Sequence, residues 1–336
     1  MTLTPRYLVP LTGLCLAAHA FAQLVPEVQP VQVDPARPDW ENPAVIERNT
    51  NPAHASGFPF ENRSLALDRR VPASTRFLSL DGNWKFHFSP TVGGAPDGFE
   101  SPGFDVSGWT EIPVPANWQA EGFGQPKYNN WRYPFPPNRP LVPHDDNEVG
   151  SYRREFQVPT AWDGMDVILH IGAAGSAYRI WLNGETVGYA QDSKLPSEFD
   201  LTPYLDRDDT NTLAIRVWRW SDGSYLEDQD FWRVSGIERS VYLAAVPKLR
   251  INDIFVRARL DESYTNGDLS IDVSAAAGDA ATARIVLLDD GRERLLQTAD
   301  LAPSDDTRSV TLAAEVPDVR PWTAETPHLY TLVTEL

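Results

Sequence analysis

The sequence predicts an all-β protein built as two sandwiches, and three observations carry that reading. Short runs that alternate apolar and polar residues recur from about residue 76 onward, bounded by Gly, Pro, Asn or Asp. The chain holds 11 Trp, 11 Tyr, 14 Phe and 29 Pro against 2 Met, a composition of short strands and rigid turns with little long helix. At 336 residues it is long enough for two or three domains, taking roughly 100 to 200 residues for each.

Residues 1–22 read as a signal peptide. Arg6 supplies the positive start, 8–18 the apolar stretch and Ala20-Phe21-Ala22 a cleavage site before Gln23, which predicts a periplasmic or secreted protein. The single cysteine, Cys15, falls inside this segment beside Leu14, which is too large for a usual lipid-attachment motif. The mature chain is therefore expected to hold no thiol and no disulfide. No later run reaches the 18 or so apolar residues of a membrane span.

Residues 23–75, rich in Pro, Asn and charge, read as an extended arm. Within it the tryptophan of DWENP at 39–43 has two readings: it docks in a groove elsewhere, or it covers its own domain. Residues 76–246 form the first sandwich. FLSLDGNWKFHF at 77–88 gives two strands around an Asp-Gly-Asn turn, with Trp84, Phe86 and Phe88 on one face. Further strands are expected at 112–114, 150–158, 167–171, 177–182, 186–189 and 213–218, with Asn183-Gly184 as a hairpin turn. Seven or more strands in about 170 residues fit a jelly-roll β-sandwich. Residues 247–336, with strands at 251–258, 268–275, 283–288, 310–314 and 329–336, fit an immunoglobulin-like β-sandwich. The last run carries no polar tail, so this sandwich is expected to be incomplete at its C-terminus.

Two blocks concentrate carboxylates, glycines and aromatics in loops, where ligand contacts are usual: GYAQDSKLPSEFD at 188–200 and WRWSDGSYLEDQDFWRVSGIERSV at 218–241. With DWENP, SLDGNWKF at 79–86, VPANWQ at 114–119, YNNWRYPFP at 128–136 and PWTAETPHLY at 321–330, they resemble the amino-terminal third of bacterial β-galactosidases of glycoside hydrolase family 2. The resemblance runs from 39 to 336. It implies a jelly-roll sugar-binding domain, an immunoglobulin-like domain and then a catalytic (β/α)8 barrel, of which the barrel is absent here.

The resemblance also implies a retaining mechanism, in which two carboxyl groups stand about 5–5.5 Å apart. Both would be barrel glutamates, so no catalytic residue is expected in this chain. Glu227, Asp228 and Asp230 are an alternative pair by position. Their neighbours Arg219, Arg233, Glu238 and Arg239 favour a self-paired loop instead. What the chain is expected to supply is recognition. Asp192 matches an aspartate that contacts the sugar's 6-hydroxyl and a sodium ion, and a carboxylate suits both. Asn130 matches an asparagine bordering the galactose site, although Asn129 and Trp131 depart from the family pattern and leave the subsite shape open. Mg2+ is expected for the full enzyme through ligands in the barrel. A β-galactoside substrate and a homo-oligomer, commonly a tetramer that the Trp40 arm could join, are implied as partners. The alternative function is a stand-alone carbohydrate-binding or complementing β module without hydrolytic activity.

The remaining candidates read as structural. Trp118, Trp181, Trp218 and Trp322 are expected to pack in cores. His144, Asp145 and Asp146 are consecutive and cannot all face one ion. A formal charge of −18 without a basic cluster disfavours nucleic acid and anionic membrane as partners.

Overall fold

A computed structural model describes residues 34–130, 132–227 and 230–336. The signal segment with Cys15, the start of the arm, Trp131 and Asp228 lie outside the described residues. The first unit is a sandwich of two antiparallel sheets. The larger runs, in spatial order, Glu47–Arg48, Glu185–Gln191, Ala177–Leu182, Asn211–Trp218, Val149–Phe156, Gly82–Ser89 and Thr110–Val114. The smaller runs Ser197–Asp200, Asp166–Ile171, Val241–Val246 and Phe77–Ser79. Alternate residues of the facing strands, among them Trp84, Phe86, Tyr152, Leu169, Ile215 and Leu243, fill the space between the sheets.

The larger sheet is buried on its other face as well. There Val149, Ala177, Tyr189 and Trp218 are covered by Trp40 and Val45 of the arm and by Phe135, Val142, Trp220 and Tyr225 of two long loops. Strand Asn211–Trp218 is consequently buried almost without alternation. The Asn183-Gly184 turn is the two-residue hairpin expected, with φ of 54° and 88° and Leu182 opposite Glu185. The strands around Asp81 do not pair with each other. One belongs to each sheet, and Gly82 at φ 122° turns the chain between them.

Gly150 marks where the core is tightest. A Cβ there would stand 2.9 Å from the rings of Phe86, Trp118 and Tyr152. Gly150→Ala is therefore expected to destabilise the unit by about 1–3 kcal/mol through overpacking. The urea midpoint of Trp fluorescence checks this, and an unchanged midpoint would refute it.

The second unit pairs two three-stranded sheets, Ile251–Leu260, Gly267–Ala275 and Arg308–Val316 against Arg292–Leu301, Ala281–Asp289 and Thr331–Glu335. Ile271, Val273, Ile285, Leu287 and Leu312 meet between them. Strand Arg292–Leu301 was not expected from its charged sequence. It is an edge strand with mostly exposed side chains, joined through Asp290-Gly291 at φ 48° and 78°. Trp322 corrects the expectation of a packed ring, because it is 60% exposed. Its segment joins two strands without joining a ladder, so no sheet face lies over it. Trp118 and Trp218 are buried, and Trp181 packs edge-on against Phe99 at 5.5 Å.

The described part of the arm is docked rather than free. Helix Arg63–Asp68 interrupts it, started by Asn62 Oδ1, which accepts the Leu65 N–H at 3.0 Å. Trp40 is 5% exposed within its own chain and stacks 5.9 Å from Trp218, so the groove it fills is its own domain's. Asp39 beside it accepts from Arg48 at 2.8 and 2.9 Å and from Arg179 at 2.7 Å. Burial pushes the Asp39 carboxyl up, but the two guanidiniums outweigh it and hold it below the usual range. No helix among the described residues is long and apolar enough to cross a membrane.

Candidate functional site

The two carboxylate-rich blocks meet at one end of the first sandwich. Strand Glu185–Gln191 ends at Asp192, whose φ of 85° breaks the extended run. The chain then turns, with Leu195 N–H donating to Asp192 O at 3.3 Å, and re-enters as Ser197–Asp200 in the other sheet. The Asp192 side chain is left exposed at this crossing. Ser193 is buried, and both its N–H and its hydroxyl donate to the Glu227 carboxylate, at 3.0 and 2.9 Å.

Glu227 is thereby occupied in holding the turn. Two of the charged residues around it pair elsewhere: Arg219 with Glu148 at 2.8 Å and Glu238 with Lys194. Arg233 Nη1 donates to the Glu227 carbonyl at 2.8 Å. Arg219 also donates to the carbonyls of Gln125 and Arg233, each at 2.9 Å, and so ties three loops together. Burial pulls its guanidinium below the usual arginine range, and Glu148 opposes that pull. Asp192, Ser193, Lys194, Trp220, Glu227 and Phe231 line a cavity of about 280 Å3.

Asn130 is exposed on the loop that follows strand Lys127–Tyr128. That strand pairs with Trp232–Arg233, the Tyr128 and Trp232 rings lie 5.5 Å apart, and the Tyr128 hydroxyl donates to Asp230 Oδ1. The loop base is fixed by Tyr225, which accepts the Asn138 N–H at 2.9 Å and donates to Leu141 O at 2.6 Å. Glu227 holds the Asp192 turn through Ser193, and Asp230 accepts from Tyr128, two residues before Asn130 in the chain. The sequence offers Asp230 as a catalytic carboxylate or, preferred, as part of a self-paired loop. The structure gives its carboxylate the Tyr128 hydroxyl as a donor, a contact the shared loop character alone did not reveal.

Two buried oxygens, on motifs distant in sequence, escaped the sequence reading. The turns Asp39–Glu41 and Asp222–Tyr225 pack against each other, and Gln191 Nε2 donates to Asp222 Oδ1 at 3.0 Å. Asp222 Oδ2 and Asn42 Oδ1 are buried without a hydrogen-bond partner. Burial raises the Asp222 carboxyl above its usual range, and the nearby Glu41 charge adds to the rise. Orphaned carboxylate and amide oxygens are the donor chemistry that hard cations such as Mg2+ or Na+ take. His144, Asp145 and Asp146 make no such group. His144 lies 3.1 Å from Glu41, and Asp146 pairs with Lys127 at 3.0 Å. In the second unit Asp289, Asp290 and His328 converge within 4.8 Å, but the Arg320 guanidinium already bridges both carboxylates.

Residues 77–247 match the glycosyl hydrolases family 2 sugar binding domain, and residues 249–336 match glycosyl hydrolases family 2. The chain is 38% identical over 312 residues to a β-galactosidase of Priestia megaterium, covering 89% of this chain and 30% of that protein. It is 39% identical over 312 residues to a β-galactosidase of Vibrio vulnificus, covering 89% and 29%. The chain therefore spans about 30% of the length of the curated relatives it matches. Among solved structures it is similar to a Bacteroides uniformis β-glucuronidase, with a TM-score of 0.63 and 26% identity over 77% of this chain and 30% of that one.

Proposed function

The chain belongs to glycosyl hydrolase family 2, and on that premise we propose that it is the amino-terminal, non-catalytic part of an exported β-galactosidase. The observation that carries this reading is the 38% identity spread over 312 residues to one such enzyme, of which the match covers only 30%. In this reading both carboxyl groups of a retaining mechanism come from polypeptide outside these 336 residues. The chain contributes recognition. The Asn130 amide and the Asp230 carboxylate, the latter held by the Tyr128 hydroxyl, hydrogen-bond sugar hydroxyls. Asp192 supplies a carboxylate to the 6-hydroxyl and to a sodium ion. Its turn is fixed by Glu227, so the carboxylate meets its ligand already placed. Residues 1–22 direct the protein to the periplasm or beyond, and the whole enzyme is a homo-oligomer, with a tetramer as the expected state.

Fusion tests this. Joined to the part of the Priestia megaterium enzyme that follows its matched segment, the chain is expected to support turnover of a chromogenic β-galactoside, whereas alone it gives none. Asp230→Ala in the fusion is expected to lower kcat/KM by about 10- to 100-fold, the loss of a charged hydrogen bond to substrate. The solved relative that is a β-glucuronidase supplies the competing sugar. A fusion that prefers a β-glucuronide would sink the galactoside reading. Turnover by the chain alone, abolished by Glu227→Gln, would sink the non-catalytic one.

A further inference from the structure

Three elements remote in sequence meet over one carboxylate on the outer face of the smaller sheet of the first sandwich. Glu198, on strand Ser197–Asp200, accepts through Oε1 from His170 Nδ1 of the neighbouring strand Asp166–Ile171 at 2.9 Å. Its Oε2 accepts from His54 Nε2 of the arm at 3.0 Å. The other ring nitrogen of His54 lies 2.8 Å from the Ala55 carbonyl. A carboxylate and a carbonyl only accept, so an imidazole bonded to both donates from both nitrogens, which makes it the imidazolium.

The segment around His54 also spans the two sandwiches. Asn51 N–H donates to Glu198 O at 2.8 Å, and Thr50 bridges to Phe199. Ala55 N–H donates to Asp253 Oδ1 at 2.8 Å, on strand Ile251–Leu260 of the second unit. Phe58 closes the far end against Phe77 and Tyr242, at 6.1 and 6.5 Å. The titratable groups that face His54 are Glu198 and Asp253. Behind Glu198 stand His170 and Tyr242, whose rings stack at 4.4 Å.

We infer that residues 50–58 are a proton-held strap: the His54 imidazolium fastens the arm to Glu198 and keeps the link between the sandwiches closed, and loss of its proton in alkaline medium releases it. A neutral His54 has one N–H and cannot serve both acceptors. The hydrogen bond from Glu198 is the largest influence on His54, burial opposes it, and together with the Ala55 carbonyl and Asp253 the result is a value raised to about 9. This group is raised on folding, so its contribution is complete below about 6.5, the unfolded value, and is lost as the pH climbs through about 9. Burial pushes the Glu198 carboxyl up, but the two histidines outweigh it and hold it at about 2. Burial pushes the Tyr242 phenol up to about 12, so Tyr242 stays neutral across the same window.

Limited digestion of the full chain tests the strap, using a broad-specificity protease and reading cuts within 50–58 by mass spectrometry. Cuts in the exposed 317–327 segment of the same digest serve as reference. The wild-type strap is expected to be cut about 10-fold faster at about pH 10 than at about pH 7, as local opening becomes accessible. His54→Gln, which keeps a neutral donor but no charge, is expected to be cut quickly at both. The inference is overturned if His54→Gln shows the wild-type pH ratio, or if the wild-type strap stays protected at the higher pH. Histidine ring NMR gives the second readout, and a His54 that titrates at its ordinary value overturns it equally.

Discussion

Replacing Glu148 by alanine is expected to cost about 3–5 kcal/mol of unfolding free energy, because it strands a buried charge. The Arg219 side chain is 1% exposed and that of Glu148 14%. Glu148 also accepts from Trp118 Nε1 and Gln119 Nε2, each at 3.0 Å. Its removal would leave a guanidinium, an indole N–H and an amide without their acceptor at once. The same contact space explains Gly124, where a Cβ would stand 2.4 Å from Glu148 Oε1. Since Arg219 holds the carbonyls of Gln125 and Arg233, the loss is also expected to loosen the Asn130 and Asp230 loops before the sheets separate. Urea unfolding of the variant, with hydrogen exchange on residues 120–135, measures both effects. A loss below about 1 kcal/mol would mean that water replaces the carboxylate, and the buried-pair account would fall.

Trp40→Ala is expected to be nearly as damaging, at about 3–5 kcal/mol for a large aromatic removed from a closed cluster. The ring covers Trp218 and lies 4.9 Å from the His144 imidazole. Its loss opens the outer face of the larger sheet. Asp39 would then have to keep Arg48 and Arg179 without the ring that shields them. Urea midpoints should fall, and Trp40→Phe should recover part of the difference. If Trp40→Ala unfolds at the wild-type midpoint, the arm is an ornament on a sheet that does not need it.

Most of the first sandwich was legible because its strands alternate or end in turn residues whose geometry is fixed by chemistry, as at Asn183-Gly184. Strand Val241–Val246 was missed, since VYLAAV is a short apolar run buried on both faces and carries no alternation. Strand Arg292–Leu301 was missed for the opposite reason, an exposed edge with little apolar content. The site was legible as two dense loops but not as an arrangement. Among the described residues of 219–239, Arg219 and Glu238 pair outside the loop, with Glu148 and Lys194, because a side chain's partner is set by which loops the sheets bring together. The packing of the Asp39–Glu41 turn against Asp222–Tyr225 likewise joins motifs some 180 residues apart, which no local pattern records.

The pairing of the smaller sheet's first and last strands bears on how this chain acquires its structure in time. Phe77–Ser79 takes its place in the smaller sheet only against Val241–Val246, and Asp81 accepts from the Val241 N–H across 160 residues of chain. Asp39 finds Arg179 across 140. Contacts this remote must await slow loop closure before they stabilise anything, which places the unit among slow-folding topologies. During synthesis the Phe77–Ser79 strand therefore cannot complete its ladder until Val241–Val246 has emerged.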